Sequence, residues 1–336
     1  MEVMQAPLLE ALKLSHAYPL PGSWLQKRGV HEVLRDVSLR VQKGRTLGIV
    51  GESGSGKSTL CRMLLKLEQP TSGVVRFAGD DMRTFTAQQR KAFHRDVQAV
   101  FQDPLSSLNP RMRAASILAE PFDASGIRLA GDAGRERLAE LMKLVGLDTA
   151  LLSRYPRQLS GGQRQRLAIA RALATEPQLI VADEPVTALD VSVQAQIMNL
   201  LRDLQDARGV SYVFVSHNLS MVRFLCHDIV VLQSGRVVER GAVEQVFEDP
   251  QHEYTQLLLR ATPVPDPDAV WGHVERPRPL PVVCEEVEVA PGHFVLREGV
   301  AHEDASFPAG RRECHHECVV LCAVVDDWPA GYREYA

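Results

Sequence analysis

The sequence predicts an α/β fold with a mainly parallel central sheet, on three observations. Short apolar, β-rich runs recur up to about residue 260, and stretches of helical periodicity separate them. A glycine-rich loop with a single lysine directly follows one such run and directly precedes a helical stretch. Another run ends on two adjacent carboxylates.

Residues 46–50, 97–101, 179–182, 212–215 and 229–232 read as buried strands. Residues 59–67, 87–93, 134–145, 163–174, 193–207 and 243–247 read as helices. Residues 33–41 and 73–77 add antiparallel strands near the N-terminus. Beyond Arg260 the pattern changes. Pro263, Pro265, Pro267, Pro277, Pro279 and Pro281 make 261–283 an extended linker, and the tail after it has weak periodicity.

Composition narrows the function. A net charge of −4 with dispersed basic residues argues against a nucleic-acid partner. No run reaches the roughly 18–20 apolar residues of a membrane span, and residues 1–9 do not read as a signal peptide. The expected place is therefore the cytosol, with any membrane passage supplied by another chain.

Residues 51–59 read Gly-Glu-Ser-Gly-Ser-Gly-Lys-Ser-Thr and fit G-x-x-x-x-G-K-[ST] between a strand and a helix. Gly51, Gly54 and Gly56 let the backbone N–H groups around Ser53, Ser55 and Thr59 turn towards phosphate oxygens, and the helix N-terminus adds positive potential. Lys57 is expected to reach the β- and γ-phosphates, and the Ser58 hydroxyl to ligate Mg²⁺. The bland alternative, a serine-rich turn with an incidental lysine, does not explain the flanking elements. In LIVADE, residues 179–184, Asp183 is expected to hold Mg²⁺ and Glu184 to polarise the attacking water as general base.

Residues 159–163 read LSGGQ and precede the helical run RQRLAIARAL. Together with the two motifs above, this constellation resembles the ABC ATPase family over about residues 8–260. The resemblance implies a RecA-like P-loop NTPase core with an antiparallel β subdomain and a helical signature subdomain. It places an ATPase domain over 1–260, the helical subdomain at about 104–165, and a C-terminal extension over 261–336. Gln102 then matches the Q-loop that helps hold Mg²⁺. Asp190 matches the D-loop, and His217 the switch histidine that orients the γ-phosphate and the water. Tyr18 matches the aromatic that stacks on adenine, with Trp24 as a rival. Ser160, Gly161, Gly162 and Gln163 would clamp the γ-phosphate of ATP held by an opposite subunit, so that Lys57 of one chain and Ser160 of another share a site.

Three stretches are similar to the ATP-binding subunits of oligopeptide, dipeptide and nickel importers: 95–112, 183–201 and 248–259. In the last, the group commonly reads His-Pro-Tyr, and here it is His252-Glu253-Tyr254. This implies a peptide importer at the cytoplasmic face of the membrane. The same role with a nickel or metal-chelate cargo is the alternative. The implied partners are a second ATPase subunit (a second copy or a related chain), two membrane permeases and an extracytoplasmic binding protein. A soluble ABC protein of translation or repair fits less well, because this chain has one cassette and no long heptad run. A regulatory module fits less well because Lys57, LSGGQ and Glu184 are intact.

Many members of this group carry a cysteine-bearing extension, some with an iron–sulfur cluster. Here 284–295 looks like its later part, and the earlier cysteine pair is missing. Cys314, Cys318 and Cys322, at spacings of four, would lie near one helical face, with His315 and His316 in the same run. With Cys284 they could hold Zn²⁺ or an iron–sulfur cluster. The spacing matches no standard template, and unligated thiols are the preferred reading. Cys61 and Cys226 read as buried free thiols.

Overall fold

Two sheets carry the chain in the computed structural model, which describes residues 6–20, 29–103, 107–261, 280 and 284–298. The elements begin with β1 (Leu9–Pro19), β2 (Val30–Val41), β3 (Thr46–Val50), α1 (Lys57–Leu64), β4 (Ser72–Phe77) and β5 (Asp80–Asp81). They continue with α2 (Ala87–Asp96), β6 (Val97–Val100), α3 (Ala114–Ser125), α4 (Gly131–Leu144) and α5 (Gly161–Leu173). Next come β7 (Leu179–Asp183), α6 (Val191–Arg208), β8 (Ser211–Val215), α7 (Leu219–Leu225) and β9 (Asp228–Gln233). The last are β10 (Arg236–Ala242), α8 (Val243–Glu248), α9 (Glu253–Ala261), β11 (Cys284–Ala290) and β12 (His293–Glu298).

The main sheet runs β11-β12-β10-β9-β3-β8-β7-β6. Its five strands from β9 to β6 are parallel, as expected from their continuous apolar runs. The strands alternate between two cores. Val50, Ile180, Ala182, Tyr212 and Phe214 join the helices on one side. Leu47, Ile49, Leu179, Val181, Val213 and Val215 join the smaller sheet and α1 on the other. Gly48 lets α7 come close, since a Cβ there would meet Val222 at 2.8 Å. Helices α3 and α4 pack on α5, with Ile117, Phe122, Leu141, Met142 and Leu167 in their shared core. The result is a parallel α/β core, an antiparallel sheet and a helical cluster, the architecture expected.

Two features differ from the sequence reading. Strands cover the expected 33–41 and 73–77, and the sheet adds one that the reading lacks, β1, which lies between β2 and β4. Bulges hide β1 from pattern reading, because Lys13 and, on the facing strand, Asp36 both adopt positive φ and shift the alternation.

The sheet also does not end at the boundary expected after residue 260. Strand β12 pairs antiparallel with β10, Glu239 opposite Val295 and Arg240 opposite Phe294, and β11 pairs with β12. The guanidinium of Arg240 forks onto Glu286 at 2.8 and 3.0 Å and sits 3.9 Å from the centroid of Phe294. Residues 284–298 therefore belong to the main sheet rather than to a separate appendage. Of the expected linker at 261–283, Ala261 ends α9 and Leu280 is described, and the rest, with the tail beyond Glu298, lies outside the described residues.

Candidate functional site

Parallel strands bring the residues that follow them to one edge of the sheet, and this edge collects most of the expected site. The loop 51–56 leaves β3 and enters α1. A Cβ at Gly51 would lie 2.1 Å from the Leu232 carbonyl oxygen, and Gly56, at φ 102, would press on Leu34 and Val33. Gly235 donates its N–H to the Ser55 carbonyl at 3.1 Å, so the turn after β9 braces the loop. Lys57 is 6% exposed, and its ammonium donates to the carbonyls of Gly51 at 2.8 Å and Glu52 at 2.7 Å. Burial lowers its pKa, while the carboxylates of Glu184 and Asp183 oppose that shift.

The acidic pair stands at the end of β7. Burial raises the Asp183 pKa, and a hydrogen bond from Ser58 opposes the rise. Ser58 and Asp183 are thus neighbours, and both offer the oxygen donors a hard cation takes. Glu184 adopts left-handed backbone, φ 47, a strained state for a non-glycine residue, and its N–H donates to the Val215 carbonyl at 3.0 Å. That turn aims the carboxylate at two partners. Thr187 Oγ donates to Oε2 at 3.1 Å, and Nδ1 of His217, just past β8, is 3.3 Å from Oε1. Gln102 is exposed two residues past β6, whose last residue, Val100, pairs with Ala182.

The LSGGQ segment folds as a helix start. Ser160 caps α5 by accepting the Gln163 N–H at 3.2 Å, and the Gln163 side chain accepts the Ser160 N–H at 2.9 Å. A Cβ on Gly162 would meet Val193 at 2.6 Å, and one on Gly161 would meet Leu189 at 3.4 Å. The segment therefore packs beside Asp190, which precedes α6. Among the described residues, no hydrogen bond or ion pair joins 160–163 to 51–59.

Tyr18 stands on β1. Its hydroxyl donates to Glu68 at 2.9 Å, and its ring meets His16 edge-on at 4.6 Å. Trp24 lies outside the described residues, as do Cys314, His315, His316, Cys318 and Cys322. Cys284 begins β11, and among the described residues no group of three His, Cys, Asp or Glu side chains could hold a metal. Cys61 and Cys226 are buried free thiols, as read.

Two residues at this edge escaped the sequence reading. Thr187 holds Glu184, and its signal was the three-residue spacing across the turn after β7. Tyr254 accepts the Glu52 N–H at 2.9 Å from the start of α9, a contact no local pattern announces.

The profile of the ABC transporter family matches residues 34–187, and that of the oligopeptide/dipeptide transporter C-terminal region matches 238–285. The dipeptide transport ATP-binding protein DppF of Escherichia coli is 45% identical over 265 residues, covering 79% of this chain and 79% of DppF. The oligopeptide transport ATP-binding protein OppD of Mycobacterium tuberculosis is 49% identical over 256 residues, 76% of this chain, and the chain spans 42% of that longer relative. Among solved structures, the fold is similar to a dimeric post-hydrolysis state of the ATP-binding cassette MJ0796 bound to ADP and Pi. The TM-score is 0.62 at 30% identity, over 70% of this chain and 98% of that one.

Proposed function

The chain belongs to the ABC transporter family of ATP-binding proteins, and from that premise we propose that it binds MgATP and hydrolyses it to power a peptide importer. The observation that carries this reading is the joining of Lys57, Ser58, Asp183, Glu184 and His217 at one sheet edge. Lys57 and the loop N–H groups hold the phosphates. Ser58 and Asp183, with Gln102, would hold Mg²⁺, which supplies charge neutralisation on the β- and γ-phosphates. Glu184 accepts a proton from the attacking water, and Thr187 and His217 keep its carboxylate in place. The γ-phosphoryl group leaves ADP as inorganic phosphate.

Ser160, Gly161, Gly162 and Gln163 serve the site of a second ATPase subunit, either another copy or a related chain, and Asp190 lies beside that junction. Tyr18 stacks on adenine. The proposed ATPase domain covers 1–260, its helical subdomain about 104–165, and residues 284–298 of the 261–336 extension complete its sheet. Among the described residues no helix is long and apolar enough to cross a membrane. Two permease subunits therefore carry the passage, an extracytoplasmic protein delivers the cargo, and this chain sits peripherally at the cytoplasmic face.

The match to a peptide-transporter C-terminal region favours peptide cargo over nickel or a metal chelate. Disrupting the gene tests this: uptake of a labelled di- or oligopeptide is expected to fall, and loss of nickel uptake with intact peptide uptake would reverse the choice. The tail cysteines are read as unligated thiols. Elemental analysis of anaerobically purified protein, finding about one zinc or a stoichiometric iron content per chain, would replace that reading.

A further inference from the structure

Both backbone groups of Glu52, the second residue of the phosphate loop, are held by side chains. Its carbonyl takes the Lys57 ammonium at 2.7 Å, and its N–H donates to the phenolic oxygen of Tyr254 at 2.9 Å. Tyr254 comes from 202 residues further along the chain, is 1% exposed, and is pushed up to a pKa of about 12 by burial. Its phenol is therefore neutral and free to accept this bond at any physiological pH.

A buried polar relay fixes where Tyr254 stands. His252 caps α9, its Nδ1 accepting the Tyr254 N–H at 3.1 Å. The N–H groups of Gln251 and His252 donate to the two oxygens of Glu239 at 2.8 and 3.0 Å. Glu239 is fully buried on β10, and Nε2 of His293, on β12, lies 2.7 Å from its Oε1. A buried carboxylate must be satisfied on every side or cost several kcal/mol, so this cluster has little freedom to shift. The proposed hydrolysis uses none of these groups.

We propose that Tyr254 is a positioning residue for the phosphate loop, and that the β11–β12 hairpin sets its place through His293 and Glu239. The inference rests on the ATP-binding reading and adds a control on nucleotide affinity to it. A glycine-rich loop loses much conformational entropy when ordered around phosphate. An anchor outside the loop meets part of that cost before the nucleotide arrives. The C-terminal hairpin is thereby mechanically linked to the ATP site, although it forms the opposite margin of the sheet from β6.

The test uses the full chain. Tyr254→Phe keeps the ring and removes the acceptor. MgATP affinity is read by calorimetry, and amide hydrogen exchange is followed at Glu52. The expected result is a Kd raised about 3- to 10-fold, the scale of one lost hydrogen bond. Exchange at Glu52 should quicken, and kcat at saturating ATP should stay within about twofold. His293→Gln, the distal arm, should raise Kd in the same direction and carries the test if Tyr254→Phe does not fold. Leu141→Ala, in the helical core, controls for lost stability alone and should leave Kd unchanged. Wild-type Kd and Glu52 exchange in a folded Tyr254→Phe protein, with Lys57→Ala still defective, would overturn this inference and leave the ATP reading standing. A wild-type chain that does not bind MgATP would remove both.

Discussion

Nδ1 of His217 lies 3.3 Å from Oε1 of Glu184, and Thr187 Oγ donates to the other oxygen of the same carboxylate at 3.1 Å. The role proposed for Glu184, a general base, requires an aimed carboxylate, and two side chains hold this one. Glu184→Gln is expected to bind MgATP normally and to turn over at least ~100-fold more slowly in the assembled complex. Thr187→Val should cost less, because His217 still restrains the carboxylate, and should lower kcat while leaving KM nearly unchanged. Near wild-type turnover in Glu184→Gln would mean the base lies elsewhere.

Lys57 separates binding from chemistry. Its ammonium already lies in the loop, bonded to two carbonyls. Lys57→Ala should therefore weaken nucleotide binding itself, with a KM or Kd change at least as large as the change in kcat. Equilibrium binding of a fluorescent ATP analogue gives the answer directly. Unchanged affinity with lost turnover would reassign Lys57 to the transition state alone.

The LSGGQ segment makes no bond to the phosphate loop among the described residues, yet Ser160 is an exposed helix cap. Such a cap offers its hydroxyl and N–H groups to an anion on another molecule. In the Glu184→Gln background, ATP should produce a head-to-tail pair with the correct second subunit. Adding Ser160→Arg should abolish it by placing bulk and length in the cleft. Sedimentation velocity with and without ATP measures this. An undiminished ATP-dependent pair in the double variant would sink the shared-site arrangement.

What could be read from the sequence follows from what the physics makes local. The parallel strands are buried on both faces, so TLGIV and LIVAD appear as unbroken apolar runs. The phosphate loop and the LSGGQ cap are backbone devices with fixed spacing. By contrast, β1 is interrupted by the bulge at Lys13, and α3 carries Pro121, which argues against a helix when read alone. The hairpin is held by Arg240 with Glu286 and Phe294, and by Glu239 with His293. These are charged and aromatic contacts across more than forty residues, and Val295 is the hairpin's one buried apolar side chain. Glu253 stands at the first position of α9, where proline's missing N–H is harmless and a carboxylate suits the helix dipole. That explains how His-Glu-Tyr replaces the commoner His-Pro-Tyr without loss of the helix.

Truncation distinguishes the hairpin from the tail. A chain ending at residue 298 keeps β12 and should match the full protein in stability and MgATP affinity. A chain ending at 260 removes the His293 partner of a fully buried carboxylate and strips Arg240 of Glu286 and Phe294. It should lose on the order of 3–5 kcal/mol of stability. It should still bind MgATP, because the loop and LIVADE remain, but more weakly than the chain ending at 298. Equal denaturation midpoints for the two truncations would show that the hairpin adds nothing to the sheet.

His252 gives the relay a pH dependence whose sign is fixed. Its Nδ1 must be unprotonated to accept the Tyr254 N–H, and burial holds its pKa below the ordinary histidine value, with Glu239 and Glu253 opposing the shift. A depressed folded pKa means that the unfolded chain takes up the proton first. The stabilisation is complete above about pH 6.5, the unfolded value, and is lost as pH falls from there towards the folded pKa. His94 and His227 are depressed by burial as well, so the whole protein should lose stability over the same interval. His252→Asn isolates one contribution, because asparagine caps a helix without titrating. Between pH 7.5 and pH 5.5 the urea midpoint should fall less for His252→Asn than for the wild type, and the protection of the Tyr254 amide, its exchange relative to the unfolded chain at the same pH, should weaken only when histidine is present. Parallel losses in the two proteins would show that His252 titrates alike in the folded and unfolded chains, and the acid sensitivity would then lie with other groups.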